Sequence, residues 1–340
     1  MKIIQLFWNK EEKRLRAFWR LAIHSLLIML FTGIPSFVFL LWTIFFSPTS
    51  VIDIVDVFSS SSLIQWTNSR SNIMIVLSLI NFTGILGSTL IVGKWIDRRK
   101  FSNFGINFSK HWWMDFAFGL GLGAGLMGFI FLTGWLTGSL RVTGFFITGN
   151  QKASFVFGLI EALFLFVLVG IYEELLSRGY HLINLAEGFN HPRLGQRKAL
   201  LLAYGISSLL FGVLHLGNPN ATWLSVINIS LAGAFLGLGM LLTGSLAIPI
   251  GLHITWNFFQ GNIFGFSVSG LPTGLTLIET EVIKNSWLIG GSFGPESGLI
   301  SLIAMLIGSV FIVLWTRRKN QIILQTDLAK YAPPNEADPA

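Results

Sequence analysis

Long apolar runs alternate with short polar segments along most of the chain. A helix needs about 20 predominantly apolar residues to cross a bilayer, and runs of that length recur here. The pattern predicts eight membrane helices near residues 21–46, 72–94, 113–138, 161–183, 199–216, 222–243, 247–265 and 297–316. The expected fold class is an all-α integral membrane protein with about eight transmembrane helices.

The distribution of basic residues gives an orientation for these helices. Lysine and arginine are enriched in the short loops on the cytoplasmic side of a membrane. Six of them lie within residues 1–20, and further groups follow the second, fourth and eighth predicted helices. The opposite side holds only Arg70, Arg141, Lys152 and Lys284. The pattern predicts that both termini are cytoplasmic, in what we expect to be a bacterial plasma membrane.

Composition agrees with a membrane protein. Hydrophobic residues make up 52% of the chain and charged residues only 11%, whereas soluble domains carry about 25% charged residues. The net charge of +7 is explained by the basic residues in the predicted cytoplasmic segments. We therefore expect contact with membrane lipid and no nucleic-acid partner. The absence of cysteine excludes disulfides and thiolate metal ligands. We expect one membrane domain over residues 1–330 and a disordered tail at residues 331–340.

A glycine-rich stretch in the third predicted helix contains a formal GxGxxG pattern at Gly123, Gly125 and Gly128. A dinucleotide site requires this pattern between a strand and the start of a helix, but here it lies inside a membrane span. Small residues in such spans allow close helix packing, which is the interpretation we favour.

Ionisable residues interrupt the fourth apolar run, where Glu173, Glu174 and Arg178 lie close together. Glu174 and Arg178 are four residues apart, so they share a helix face and can pair. Glu173 points about 100° away on the same helix and has no cation nearby in sequence. Charged residues inside a membrane are rare and indicate a functional site by default. The alternatives are a buried ion pair that fixes helix packing, or an ion pathway.

Two histidines add to this site. His215 ends one apolar run, and His253 lies inside another, on the same helix face as Asn257. A glutamate in an apolar site can act as a general base toward water, a histidine can assist it, and a His–Asn pair can stabilise an oxyanion. Two histidines and a glutamate could equally bind Zn²⁺, with Glu173, His215 and His253 as ligands. The residue types do not decide between these two mechanisms.

The depths of these residues in the membrane conflict with ideal straight helices. Glu173 falls near the middle of its predicted span, whereas His215 and His253 lie toward opposite ends of theirs. At 1.5 Å per residue the offsets approach about 10 Å. We therefore expect tilted or broken helices around a water-filled cavity, with the polar segment 217–220 dipping inward.

Three motifs on separate apolar helices resemble the CPBP intramembrane proteases. They are Glu-Glu-x-x-x-Arg at 173–178, Phe-x-x-x-His at 211–215 and His-x-x-x-Asn at 253–257. This family includes type II CAAX prenyl endopeptidases and bacterial relatives linked to bacteriocin immunity. The resemblance covers roughly residues 150–265 and implies an eight-helix membrane fold whose active site opens toward the cytoplasm.

The resemblance also implies roles for the motif residues. By motif position, Glu173 activates water, His215 assists it, and His253 and Asn257 stabilise the oxyanion. Family members have been described both as metalloproteases and as metal-independent glutamate proteases. We favour the metal-free mechanism because these four residues form a complete set without a cofactor, and Zn²⁺ is the alternative.

The remaining motif residues are supporting ones by the same resemblance. Glu174 and Arg178 brace the site, and Phe211 shapes the pocket. The expected function is hydrolysis of a peptide bond in a membrane-bound peptide or protein, with lipidated and prenylated CAAX-type substrates included. The alternatives are a non-enzymatic membrane partner in bacteriocin immunity or signalling, and a transporter whose intramembrane charges line an ion path.

Overall fold

The computed structural model describes residues 4–46, 67–148, 154–284, 286–318 and 323–333. Eight helices dominate this part of the chain, and we number them in chain order. They are α1 Ala17–Phe46, α2 Thr67–Trp95, α3 Lys110–Leu136, α4 Phe155–Phe189, α5 Gly195–Leu214, α6 Trp223–Thr243, α7 Ala247–Phe258 and α8 Leu299–Arg317. The helical content of 73% confirms the predicted all-α class.

Seven helices within the described residues are long and apolar enough to cross a membrane. The exception is α7, which corresponds to the predicted span 247–265. Its α-helical part ends at Phe258 and continues as a π-helical turn over Phe259–Ile263. Seven of the eight predicted spanning helices are therefore confirmed by their length and hydropathy. The eighth, α7, is a shorter and buried helix.

Within the described residues, four strands form two small antiparallel sheets. β1 (Trp8–Asn9) pairs with β2 (Arg14–Leu15) near the N-terminus. β3 (Leu140–Thr148) pairs with β4 (Leu275–Val282), and Leu140 lies opposite Val282. No local pattern predicts this second sheet, because residues 149–274 separate its two strands in the chain. Thr148 and Leu275, paired at one end of this sheet, line the same cavity as residues of α4 and α7.

Single helical turns fill several connections. They lie at Ile4–Phe7, Phe101–Phe104, Ser286–Ile289, Gly291–Phe293, Pro295–Ser297 and Thr326–Ala329. The predicted disordered tail falls largely outside the described residues, which end at position 333. Tyr331, at the start of that predicted tail, stacks its ring 3.6 Å from the Arg14 guanidinium.

Helix α7 lies at the centre of the bundle and contributes to both hydrophobic cores. Ile248, Leu252 and Trp256 pack into one core with residues of α3, α6 and α8. Ala247, Ile250 and Ile254 pack into the other, with residues of α4 and α5. The two sets follow the i, i+4 and i, i+3 spacing of opposite helix faces. Because α7 is enclosed by protein, it can carry polar residues that lipid would exclude.

Backbone contact between α3 and α7 depends on glycine. A Cβ atom added to Gly119 would lie 2.5 Å from the Ile248 carbonyl oxygen, and one added to Gly123 would lie 2.5 Å from the Leu252 carbonyl oxygen. These distances are too short for any side chain. The predicted role of the glycine-rich stretch in close helix packing is confirmed at these two positions.

We expect Gly123→Ala to destabilise the protein by about 1–3 kcal/mol, the usual cost of forcing extra atoms into a packed interface. Gly125→Ala is the matched control, because its added Cβ meets no described atom within 4 Å. Alanine also favours helix over glycine, so the control should be neutral or stabilising. Thermal unfolding in detergent measures both variants, and equal melting temperatures for them would contradict this account of the interface.

Candidate active site

The site begins where α4 changes its helical geometry. The α-helical part of α4 ends at Glu174, and residues Leu175–Leu182 form π-helical turns before the α-helix resumes. Such turns occur often at functional sites. Glu174 is fully buried, whereas the side chain of Glu173 remains 22% exposed. The two adjacent carboxylates therefore have different surroundings, as their helical spacing predicted.

Glu174 is bound from two helices through one oxygen. Arg178 donates from Nη1 to Glu174 Oε1 at 2.7 Å, and His253 donates from Nδ1 to the same oxygen at 2.8 Å. Arg178 also donates from Nη2 to the Gly233 carbonyl at 2.9 Å, and its guanidinium lies 4.3 Å from the centre of the Phe211 ring. The predicted Glu174–Arg178 pair is present, and it joins α4 to α6 and α7.

His253 connects the two carboxylates. Its Nδ1 hydrogen is used by Glu174, so its Nε2 atom is the one available to the site. Nε2 lies 3.9 Å from Oε2 of Glu173. The ring orientation is thus determined by Glu174, which is the way a buried carboxylate commonly positions a functional histidine.

His215 caps the C-terminal end of α5. Its Nδ1 atom donates to the Phe211 carbonyl oxygen at 2.7 Å, because a carbonyl can only accept. The His215 ring also packs against the Phe211 ring, with centroids 4.8 Å apart. In the neutral ring this arrangement leaves Nε2 as a hydrogen-bond acceptor. The sequence motif spacing places Phe211 and His215 one turn apart, and both contacts follow from that spacing.

A single cavity of about 760 Å³ brings the predicted residues together. Glu173, His215, His253 and Asn257 all line it, and Phe211 does so as well. Glu174 and Arg178 lie behind this surface and support it. Helix α5 ends just before His215, and the π-helical turns of α4 begin just after Glu174, so both helices are interrupted beside the cavity.

Several polar lining residues were not identified as site residues from the sequence. They include Asn81, Glu161, Tyr172, Asn262, Ser269 and Thr273. Asn218, in the polar segment expected to dip inward, also lines the cavity and donates to the Ser269 carbonyl at 3.0 Å. Tyr172 could have been found from its position beside Glu173. The others lie in segments without a chemical motif.

The alternative zinc site has suitable ligand types but no matching cluster. The second nitrogen of each histidine is hydrogen-bonded, to Glu174 for His253 and to a carbonyl for His215, which is typical of histidines that bind metals. However, no group of three or more His, Cys, Asp or Glu residues in the described part of the chain is arranged to hold a metal ion.

The helices and the cavity define a multi-pass membrane protein with a polar site buried inside its bundle. Residues 153–259 match the family model described as Rce1-like, type II CAAX prenyl endopeptidase Rce1-like. This segment contains all three motifs, supports a CPBP-family protease and confirms the resemblance found in the sequence. Comparison with curated proteins and with solved structures gave no match.

We expect Arg178→Met to destabilise the fold by about 3–5 kcal/mol, because it leaves a buried carboxylate without its arginine. The double variant Arg178→Met with Glu174→Gln should recover part of this loss. Arg141→Met is the matched control, since the Arg141–Glu281 pair is exposed and such pairs contribute about 0–1 kcal/mol. Thermal unfolding in detergent compares the three proteins. A single variant as stable as the control would show that the pair does not support the site.

Proposed function

We propose that this protein is an intramembrane endopeptidase that hydrolyses a peptide bond of a membrane-associated protein or peptide. The observation that carries the proposal is the meeting of Glu173, His215, His253 and Asn257 in one cavity of the Rce1-like domain. The volume of about 760 Å³ falls in the range of binding sites for small molecules and peptide segments. Prenylated CAAX-type proteins are one candidate substrate class.

Glu173 is the group best suited to activate water. Its side chain is partly exposed and lines the cavity, whereas the nearby Arg178 donates to Glu174 and to the Gly233 carbonyl. As general base, Glu173 accepts a proton while the water oxygen attacks the peptide carbonyl carbon. It then returns that proton to the leaving amine as the C–N bond breaks. His215, with its Nε2 atom free to accept, orients the same water.

His253 and Asn257 are suited to bind the oxyanion that forms on the carbonyl oxygen. They lie one helical turn apart on α7 and share the cavity surface. His253 donates through Nε2–H in its doubly protonated form, and the Glu174 carboxylate at its other nitrogen stabilises that charge. Donors held in place before the reaction cost no reorganisation when the negative charge develops. Phe211 lines the pocket and contacts both the His215 ring and the Arg178 guanidinium.

The test is cleavage of a farnesylated CAAX reporter peptide by the purified protein, beside the same peptide without its lipid. We expect Glu173→Gln to lower kcat by about 10²–10⁴-fold, the typical contribution of a general base. Glu281→Gln, an exposed carboxylate on β4, is the control and should match wild type. Cleavage that persists in Glu173→Gln would contradict the proposal.

A chelator separates the two mechanisms in the same assay. Because the proposed steps use only side chains, cleavage by wild type should be unchanged after chelation. Loss of cleavage with recovery on adding Zn²⁺ would favour the metal mechanism, with Glu173, His215 and His253 as ligands. A folded wild type that cleaves neither peptide would point to the alternative function, a peptide-binding membrane partner in immunity or signalling.

We also propose that both termini are cytoplasmic, which requires α7 to count as an eighth crossing beside the seven longer helices. Because the chain has no cysteine, single cysteines can be introduced at Lys2 and Glu336. A membrane-impermeant maleimide should label neither position in intact cells and both after lysis. Labelling of one terminus alone in intact cells would show that the number of crossings is odd.

A further inference from the structure

A carboxyl group outside the three motifs lies buried beside the site. Glu296 belongs to the helical turn Pro295–Ser297, just before α8, and is only 5% exposed. Its Oε2 atom accepts hydrogen bonds from the backbone nitrogen of Ser269 at 2.6 Å and from the Ser269 hydroxyl at 2.9 Å. It forms no ion pair with lysine or arginine among the described residues. A buried carboxyl group of this kind needs a reason, because burial without a cation is costly.

The two bonds from Ser269 hold a strained turn. Ser269 has φ of +47°, a left-handed conformation that is uncommon for residues other than glycine. The next residue, Gly270, donates from its backbone nitrogen to the Phe293 carbonyl at 2.8 Å, and a Cβ on Gly270 would collide with the Pro219 carbonyl oxygen. The segments around positions 219, 270 and 293 therefore touch through their backbones.

Hydrogen bonds continue from this turn to His215. The Ser269 carbonyl accepts from Asn218 Nδ2 at 3.0 Å, and the Asn218 backbone nitrogen donates to the His215 carbonyl at 3.1 Å. A chain of contacts thus runs from Glu296 through Ser269 and Asn218 to His215. His215 and Asn218 follow the end of α5 at Leu214. Their positions therefore depend on these contacts and not on the hydrogen bonds of a continuing helix.

Glu296 and His215 are also neighbours across a small cavity. Glu296, Ser269, His215, His253 and Asn257 line one small cavity of about 30 Å³. Burial raises the pKa of the Glu296 carboxyl group, while the Ser269 hydrogen bonds and nearby His215 act in the opposite direction. Because Glu296 and His215 line the same small cavity, the carboxyl group lies beside the site.

We propose that Glu296 is a positioning residue for His215. It holds the strained Ser269 turn, which holds Asn218 and thereby the segment that carries His215 into the cavity. The inference rests on the proposed peptidase function, since it assigns Glu296 to the support of a group in that reaction. It also explains why a carboxyl group is buried in the connection between α7 and α8.

Two substitutions of Glu296 test the role of its hydrogen bonds. Glu296→Leu removes the acceptor of both bonds at similar side-chain size, so kcat should fall about 10–100-fold with KM within about twofold of wild type. Glu296→Gln keeps an oxygen that can accept both bonds from Ser269, so its kcat should stay within about threefold of wild type. Glu281→Leu, on the exposed face of β4, is the control for loss of a carboxylate and should not change either constant.

Asn218→Ala tests the next link and keeps the test decisive if Glu296→Leu does not fold. It should lower kcat as Glu296→Leu does, and the double variant should lose no more than the worse single variant, because both break one chain of contacts. Wild-type kcat in folded Glu296→Leu, a change confined to KM, or additive losses in the double variant would overturn the inference. Glu173→Ala is measured in parallel, and its unchanged cleavage would refute the proposed function instead.

Discussion

The buried carboxylate of Glu174 is the interaction on which the rest of the site depends. One of its oxygens accepts from Arg178 on the same helix and from His253 on α7, which lies 79 positions away in the chain. Through Arg178 it also reaches the backbone of α6 at Gly233. Without a cation this group could not stay buried at such depth. With one, it orients a histidine and joins three helices at one point.

The division of labour between the two adjacent glutamates follows from helix geometry. Consecutive residues on a helix point about 100° apart, so only one of the pair can face the arginine four residues later. Glu174 pairs with Arg178, accepts the Nδ1 hydrogen of His253 and so holds the helices together. Glu173 faces the cavity and keeps part of its surface exposed. A site that needs one fixed and one reactive carboxylate obtains both from two neighbouring positions.

Local spacing explains how much of this could be predicted from the sequence. Pairs four residues apart, Glu174 with Arg178 and Phe211 with His215, lie on single helices, and the structure shows both in contact. The apolar runs likewise predicted seven of the spanning helices, because length and hydropathy are properties of each segment alone. The eighth segment was predicted as a span by composition, but its burial among other helices relaxes the length that lipid would impose.

The contacts that could not be predicted are those between distant segments. The bond from His253 to Glu174, the pairing of β3 with β4, and the approach of Glu296 to Ser269 each depend on how whole elements pack. Their residues carry no local signal: Glu296 lies in a Gly- and Ser-rich connection that reads as a solvent-exposed loop. The role of Glu296 is inferred from its burial. A carboxyl group with 5% exposure must be held by specific hydrogen-bond donors, because its burial is otherwise costly. In this protein those donors belong to the turn that leads, through Asn218, to His215.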